Sequence, residues 1–206
     1  SFETPTEYAA YSDRGFEKMG HSMHEFSQKY LMPADLAGKP LPVLYNSWYS
    51  TTFSVQCQEQ IELAKRAAKM GVELFVIDDG WFEGRDDDTA GLGDWYADKK
   101  KFPHGLKELA DQVHGLGMKF GVWIEPEMVN RKSRLFTEHP DWIYAYPNRE
   151  VLMGRNQYML DMANEEVVEY LIQIFDKLIE ENGIEYIKWD MNRYAAEIGS
   201  EMEEAG

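Results

Sequence analysis

The first periodic pattern along the chain is helical and lies near the amino terminus. Apolar residues recur at three- and four-residue steps from Phe16 to Tyr30, which is the spacing of one stripe on a helix. We expect Asp13 to cap this helix and the helix to end before Pro33. The pattern therefore predicts an N-terminal extension at residues 1–41 that contains one helix.

After this extension, short apolar runs alternate with stretches of helical spacing. The runs have apolar residues on both faces and predict buried strands at 42–48, 73–77, 119–124 and 184–189. The helical stretches lie between them, at 61–70, 106–116 and 164–182. We expect Asn164 to cap the last of these helices and Gly183 to end it. The segment after Met128, rich in Tyr, Pro and Arg, is predicted to be an extended loop.

Buried strands that alternate with amphipathic helices are typical of a parallel sheet built from βαβ units. Four such units span residues 42–198, without an internal repeat beyond the alternation and without a low-complexity linker. The sequence therefore predicts an α/β protein with one domain over residues 1–206.

All four predicted strands end in polar or aromatic residues at their carboxyl edge. These residues are Asn46, Trp48, Asp78, Asp79, Glu125, Glu127, Lys188, Asp190 and Asn192. In (β/α) barrels the active site lies at this edge, whereas the opposite edge mostly supports stability. Carboxylates from three strands are therefore expected to converge.

Each of these features also has a purely structural explanation. An Asp-Gly pair at a strand end is a common turn, strand tryptophans usually lie in the core, and Pro126 between two glutamates can simply stop a strand. Three further features favour a structural reading: His21 and His24 as surface residues, the run 86–88 as a solvated loop, and Cys57 as an inert small hydrophobe.

Lys188 and Asp190 are two residues apart and should share one face of the fourth strand. A neighbouring cation keeps a carboxylate ionised. An ionised carboxylate beside aromatic walls suits nucleophilic attack on a sugar carbon, because the transition state carries positive charge. This pair therefore indicates glycoside chemistry.

Composition narrows the partners and the compartment. The formal net charge of −16 excludes nucleic acid as a plausible partner. Aromatic residues make up 14% of the chain, which suits carbohydrate binding as well as an ordinary core. A single cysteine suits a reducing compartment, and the chain has neither a signal-peptide pattern nor a run of 18 apolar residues. We therefore expect a cytoplasmic protein without a membrane partner.

Four motifs resemble the α-galactosidases of glycoside hydrolase family 36. They lie at 78–81, 123–128, 154–156 and 188–193, and the last, Lys-Trp-Asp-Met-Asn-Arg, is highly specific. The resemblance runs in order from about Pro5 to Glu197. It implies hydrolysis, with retention, of terminal α-linked galactose in oligosaccharides such as raffinose or melibiose. It implies no metal and no organic cofactor.

The resemblance also implies residue roles. Asp190 is cast as the catalytic nucleophile, and Asp78 and Asp79 as binders of the galactose 4- and 6-hydroxyls. The other substrate-binding residues that it indicates are Arg155, Lys188, Trp189, Asn192 and Trp48.

In that family the general acid/base aspartate ends strand six of the barrel, and a β-sandwich precedes the barrel. The matching part here has four strands, so the expected fold is the (β/α)₄ half of a TIM barrel, with parallel strands preceded by an N-terminal helix. We expect a weakly active or inactive chain that pairs either with a second copy, as a homo-oligomer, or with a complementary C-terminal half-barrel. The alternative is a non-catalytic half-barrel that binds sugar or only assembles.

Overall fold

A computed structural model describes residues 3–196 and 199–200. The chain divides into two compact units, with the boundary between Leu41 and Pro42. Glu197 and Ile198, to which the resemblance and the fourth βα unit were expected to extend, lie outside the described residues.

The first unit contains the predicted amino-terminal helix. This helix, α1, spans Gly15–Phe26 and continues as a π-helical turn over Ser27–Leu31, so that it ends before Pro33 as expected. The prediction that Asp13 caps it is wrong: Arg14 occupies the cap position, and no side chain hydrogen-bonds there. The helix starts one residue later than the cap requires, and the Asp13 carboxylate instead lies 3.9 Å from Arg14 Nε at the surface.

The described part of the second unit, residues 42–196 with 199–200, contains six strands and five helices. The strands are β1 (Leu44–Asn46), β2 (Leu74–Ile77), β3 (Lys119–Ile124), β4 (Met128–Asn130), β5 (Gln157–Met159) and β6 (Tyr186–Trp189). The helices are α2 (Trp48–Thr51), α3 (Cys57–Lys69), α4 (Leu106–Gly115), α5 (Arg134–Glu138) and α6 (Glu165–Asn182). No helix within 3–196 and 199–200 has the length and apolar character needed to cross a membrane.

The main sheet has the order β1-β2-β3-β6, and all of its neighbouring strands are parallel. The parallel α/β arrangement predicted from the sequence is therefore confirmed. The two inner strands are buried except for Lys119 at the start of β3, and every residue of β2 is inaccessible to solvent or nearly so. The two edge strands are partly exposed, since Leu44 of β1 and Tyr186 of β6 retain 42% and 39% of their accessible surface.

Helices α3, α4 and α6 cover one face of this sheet. Their apolar stripes meet the strand residues in one cluster, to which each contributes; examples are Ile61, Leu109, Ile174, Phe75 and Phe120. Helix α6 begins at Asn164, whose side chain accepts a hydrogen bond from Glu166 N at 2.9 Å, and it ends at Gly183 in the left-handed conformation. Both predicted ends of this helix are confirmed.

The segment after Met128 is not the extended loop that the sequence predicted. It holds helix α5 and the antiparallel pair β4-β5, which pack on a second apolar cluster that includes Val129, Leu135, Leu160 and Leu171. Strands of three residues are too short to show an alternating pattern, which is why the sequence gives no sign of them. The first strand is likewise shorter than predicted, and Trp48 begins helix α2.

The Asn164 cap is expected to stabilise α6 and the fold with it. Replacing a capping asparagine by alanine leaves a helix N–H without its partner, so Asn164→Ala should lower the free energy of unfolding by about 1 kcal/mol in urea titrations. Glu180→Ala, on the exposed side of the same helix, is the matched control and should change it by less than about 0.5 kcal/mol. Equal effects of the two substitutions would show that the cap contributes nothing.

Candidate active site

A cavity of about 430 Å³ opens at the carboxyl ends of the parallel strands. Its wall is formed by Trp48, Phe53, Asp78, Asp79, Asp88, Trp123, Arg155, Lys188, Asp190 and Asn192. Every site residue predicted from the sequence is therefore at this cavity, with the exception of Trp189. The strands bring the residues together because their carboxyl ends meet at one edge of the sheet.

Asp78 connects three strands at the floor of the cavity. Its Oδ2 accepts hydrogen bonds from Asn46 Nδ2 at 2.6 Å and from Lys188 Nζ at 2.7 Å. Its Oδ1 accepts one from the backbone N–H of Asp79 at 2.9 Å. Lys188 reaches across the intervening strand β3, because β2 and β6 are not neighbours in the sheet. The carboxylate thus has a cation and two neutral donors as partners.

Asp79 faces the same cavity and is held by Arg85. The guanidinium donates from Nε to Oδ1 and from Nη2 to Oδ2, both at 2.8 Å, and only 2% of Arg85 is exposed. This is the bidentate geometry that suits a carboxylate best. Burial nevertheless raises the pKa of Asp79 above its ordinary value, against the opposing effect of Arg85.

Asp190 follows β6 and is half-buried. Its Oδ2 accepts hydrogen bonds from Trp123 Nε1 and Asn192 Nδ2, each at 2.8 Å, and its Oδ1 accepts one from Met191 N at 3.0 Å. Partial burial alone would raise the pKa of Asp190, but these hydrogen bonds and the charge of Lys188 outweigh it and lower the pKa. The side chain is therefore ionised at neutral pH.

The expected pairing of Lys188 with Asp190 takes a different form. The lysine lies on the same face as Asp190, as predicted, but the carboxylate that it contacts is that of Asp78. For Asp190, the charge of Lys188 is a smaller influence than the hydrogen bonds from Trp123 and Asn192.

Trp189 is the predicted site residue that the structure does not bring to the cavity. Side chains alternate between the faces of a strand, so Trp189 points away from the side that carries Lys188 and Asp190. Its ring stacks on Phe175 of α6 with centroids 5.0 Å apart. Its Nε1 donates to both carboxylate oxygens of Glu127 at 3.0 Å.

A tight turn carries Arg155 to the cavity. Gly154 and Gln157 exchange backbone hydrogen bonds, and the two residues between them, Arg155 and Asn156, have φ values of 51° and 61°. Positive φ at both central positions is the signature of a type I′ turn, in which asparagine is favoured. Asn130 of β4 fixes the turn by donating from Nδ2 to the carbonyl of Asn156 at 2.8 Å.

Sequence reasoning missed Phe53, Asp88 and Arg85, and it left Trp123 open between core and pocket. Trp123 belongs to the core and also to the cavity wall, because only 2% of its surface is exposed and its indole N–H donates a hydrogen bond to Asp190. Asp88 belongs to the acidic run expected to be a solvated loop; its Oδ1 lies 3.4 Å from Asn156 Nδ2. Phe53 and Arg85 lie in segments without a periodic pattern, and nothing in the sequence marks them.

Glu125 is more than a strand stop. It is fully buried and accepts a hydrogen bond from the backbone N–H of Asn192 at 2.5 Å. Burial raises the pKa of Glu125, although the hydrogen bonds from Asn192 oppose this shift.

Neither the histidines nor the cysteine adds chemistry to the site. Within the described part of the chain, no cluster of three His, Cys, Asp or Glu side chains could hold a metal ion. Cys57 is buried at the start of α3, and burial raises the pKa of its thiol to about 11, so it stays protonated and unreactive.

The Melibiase family model matches residues 1–205, and the chain therefore belongs to this family. Its relatives include the α-galactosidase AgaA of Geobacillus stearothermophilus, to which it is 44% identical over 200 residues. That alignment covers 97% of this chain and 27% of AgaA, so the chain spans about a quarter of the length of this relative. The resemblance to glycoside hydrolase family 36 is thus confirmed.

Solved structures agree with this assignment. The crystal structure of the family 36 α-galactosidase AgaA from G. stearothermophilus matches with a TM-score of 0.89 and 43% identity, over 94% of this chain and 27% of that one. A variant of AgaA crystallised in complex with raffinose matches with a TM-score of 0.87 and 43% identity, over 93% and 27%.

The Arg85–Asp79 pair is expected to be costly to break. Arg85→Met leaves a buried carboxylate without its cation and should lower the free energy of unfolding at pH 7 by about 3–5 kcal/mol. Losing Arg85 raises the pKa of Asp79 further, so the deficit should shrink as the pH falls and Asp79 takes up a proton. Urea unfolding at pH 7 and pH 5 measures both effects.

Two further variants separate this charge effect from lost packing. Adding Asp79→Asn to Arg85→Met should restore part of the stability at pH 7, because no unpaired charge remains. Lys107→Met breaks the exposed Lys107–Asp111 pair on α4 and should cost no more than about 0.5 kcal/mol. A pH-independent deficit in Arg85→Met would contradict the pairing explanation.

Proposed function

We propose that this chain supplies the nucleophile and most of the sugar-binding side chains of a retaining α-galactosidase. The substrate is terminal α-linked galactose in oligosaccharides of the raffinose or melibiose type. The observation that carries the proposal is the Asp190 carboxylate, which three hydrogen-bond donors hold ionised at one wall of the cavity. Its setting matches the needs of a nucleophile that attacks a carbon developing positive charge.

In the proposed reaction, Asp190 attacks the anomeric carbon of galactose while the bond to the leaving oxygen breaks. The product of this step is a galactosyl ester of Asp190, which water then hydrolyses with overall retention. Trp123 and Asn192 both donate to Oδ2. Among the described residues, Oδ1 accepts only from the backbone N–H of Met191, and it is therefore the better placed attacking oxygen. Negative charge on Asp78 and Asp79 nearby favours the cationic transition state.

The proposed sugar contacts use lone pairs and protons that the protein leaves free. Asp79 gives one lone pair on each oxygen to Arg85 and a third to the backbone N–H of Gly80. A carboxylate accepts about four hydrogen bonds, so one lone pair remains for a hydroxyl group, as expected for a binder of the 4- or 6-hydroxyl. Lys188 has two further N–H groups besides the one on Asp78. Arg155 can donate from the turn, and Trp48, packed edge-on against Phe53, offers an aromatic wall.

The leaving oxygen needs a proton, and a positioned general acid contributes about 10²–10⁴-fold to such reactions. We propose that this acid comes from a complementary part of the barrel, which pairs with the exposed edges β1 and β6. Residues 42–198 would then act as the (β/α)₄ half of a TIM barrel. The partner is either a C-terminal half-barrel or a second copy of the chain in a homodimer. The proposed compartment is the cytoplasm, which suits the single buried thiol of Cys57.

A covalent probe tests the assignment of Asp190. A galactose-configured cyclic epoxide or aziridine should label the chain, and peptide mapping should place the label on Asp190, because esterification requires a competent nucleophile. Asp190→Asn should lose the label. The control is Asp87→Asn, which changes an exposed aspartate two residues beyond Arg85. The probe should label this variant as it labels the unaltered chain.

A label on another residue, or equal labelling of Asp190→Asn, would contradict the assignment. Binding of galactose without any labelling would instead favour the alternative of a sugar-binding half-barrel that does not catalyse.

Sedimentation velocity across a concentration series tests the proposed homodimer. Partly exposed edge strands favour pairing, whereas the net charge of −16 on each chain opposes it. We therefore expect a monomer–dimer equilibrium that added salt shifts towards the dimer. A species that stays monomeric at high protein concentration and in high salt would exclude the homodimer and leave the complementary half-barrel.

A further inference from the structure

The strongest feature outside the proposed chemistry is the buried carboxylate of Glu125, directly after β3. It is fully inaccessible to solvent and receives three hydrogen bonds. Asn192 donates from its backbone N to Oε1 at 2.5 Å and from Nδ2 to Oε2 at 3.5 Å, and Gln157 donates from Nε2 to Oε2 at 3.2 Å. All three contacts come from N–H groups, so the ionised form of Glu125 suits its surroundings.

The side-chain amide of Asn192 lies between two carboxylates. Its Nδ2 donates to Asp190 Oδ2 at 2.8 Å and, more weakly, to Glu125 Oε2 at 3.5 Å. A rotation of the amide by 180° would bring its carbonyl oxygen towards both carboxylates. That orientation loses both hydrogen bonds and places lone pairs against negative charge.

We propose that Glu125 is a positioning residue, which fixes the backbone and the side-chain amide of Asn192 so that the amide N–H faces the carboxylate of Asp190. Glu125 does not touch the cavity and acts only through Asn192. The inference rests on the proposed function, in which Asp190 is the nucleophile.

The direction in which the pKa of Asp190 changes when Glu125 is removed distinguishes a positioning role of Glu125 from a purely electrostatic one. Glu125 is a negative charge near Asp190, so its removal alone would lower the pKa of Asp190. If Glu125 instead holds the amide of Asn192 in place, its removal weakens a hydrogen bond to the ionised Asp190 and raises the pKa. The two effects have opposite directions.

Other charged groups around the cavity stay the same in this comparison. They come from the end of β2, from β6, from the loop between β2 and α4 and from the turn between β4 and β5, and they are Asp78, Asp79, Lys188, Asp88 and Arg155.

The experiment is a carboxyl ¹³C NMR titration of Asp190 in the full chain, unaltered and with Glu125→Gln. Gln157 Oε1 has no hydrogen-bond partner among the described residues. In the variant, the Gln157 amide can rotate so that this oxygen accepts a hydrogen bond from the amide introduced by Glu125→Gln. The amide of Asn192 then loses its anionic anchor. We expect an upward shift in the pKa of Asp190, and an unchanged or lowered pKa would overturn the proposal.

Two comparisons make the result specific. Glu127→Gln removes a charge two residues away that contacts Trp189 rather than Asn192, and it should not raise the pKa of Asp190. Asn192→Ala should raise it, and in that background Glu125→Gln should lower it, because only the charge effect remains. An upward shift from Glu125→Gln in the absence of the Asn192 amide would show that Glu125 acts by another route and would overturn the proposal.

Neutron diffraction from the unaltered chain gives an answer even if Glu125→Gln does not fold. It distinguishes amide nitrogen from oxygen and locates the exchanged hydrogens of Asn192. We expect Nδ2 on the side of Asp190 and no proton on Glu125; the carbonyl oxygen on that side would overturn the proposal. Neither measurement needs turnover, so a failure of the galactose probe to label Asp190 would reject the proposed function without deciding the role of Glu125.

Discussion

The ion pair between Lys188 Nζ and Asp78 Oδ2, 2.7 Å long, joins β6 to β2 across the intervening strand β3. Asn46 adds a bond from β1 to the same oxygen, so one carboxylate connects both edge strands of the sheet to an inner one. Asp78 is buried and Lys188 is partly exposed, which leaves the lysine accessible from the cavity. The shape of the cavity floor depends on this arrangement, because a buried carboxylate without a cation is strongly unfavourable.

The remaining carboxylates at this edge are distinguished by their partners. Asp79 has a buried guanidinium, Glu125 has a backbone N–H and two side-chain amides, and Asp190 has an indole, an amide and a backbone N–H. The pKa of Asp79 and that of Glu125 are raised because burial dominates, whereas the pKa of Asp190 is lowered because hydrogen bonds to the charged form dominate. Environments that separate the pKa values of neighbouring carboxyl groups allow them to take different chemical roles.

Much of this arrangement could be predicted from the sequence, because it follows from strand ends. The parallel strands are marked by apolar runs, and the residues that follow them meet at one edge; this predicts Asp78, Asp79, Lys188, Asp190 and Asn192 at one cavity. Alternation along β6 also explains why Trp189 lies elsewhere, although the shared motif suggests a sugar contact. At this position the period-2 rule predicts the side chain's direction better than the motif does.

Other features depend on contacts between distant segments and leave no local pattern. The β4-β5 pair is formed by three-residue strands almost 30 positions apart, and the type I′ turn at Arg155 depends on Asn130. Arg85 is recognisable as a site residue only once its guanidinium is seen against Asp79. The missing cap at Asp13 is a different case, because α1 begins at Gly15 and Arg14 therefore takes the cap position instead of Asp13.

The claim that the strand-end carboxylates form a galactose site is tested most directly by sugar binding in solution. Galactose and glucose differ only in the configuration of the 4-hydroxyl group, which Asp78 and Asp79 are proposed to bind. Titration of each sugar into ¹⁵N-labelled protein should shift the side-chain resonances of Trp123, Asn192 and Lys188 with galactose and leave them unchanged with glucose. Equal shifts with both sugars, or galactose-induced shifts confined to residues outside the cavity, would contradict the claim.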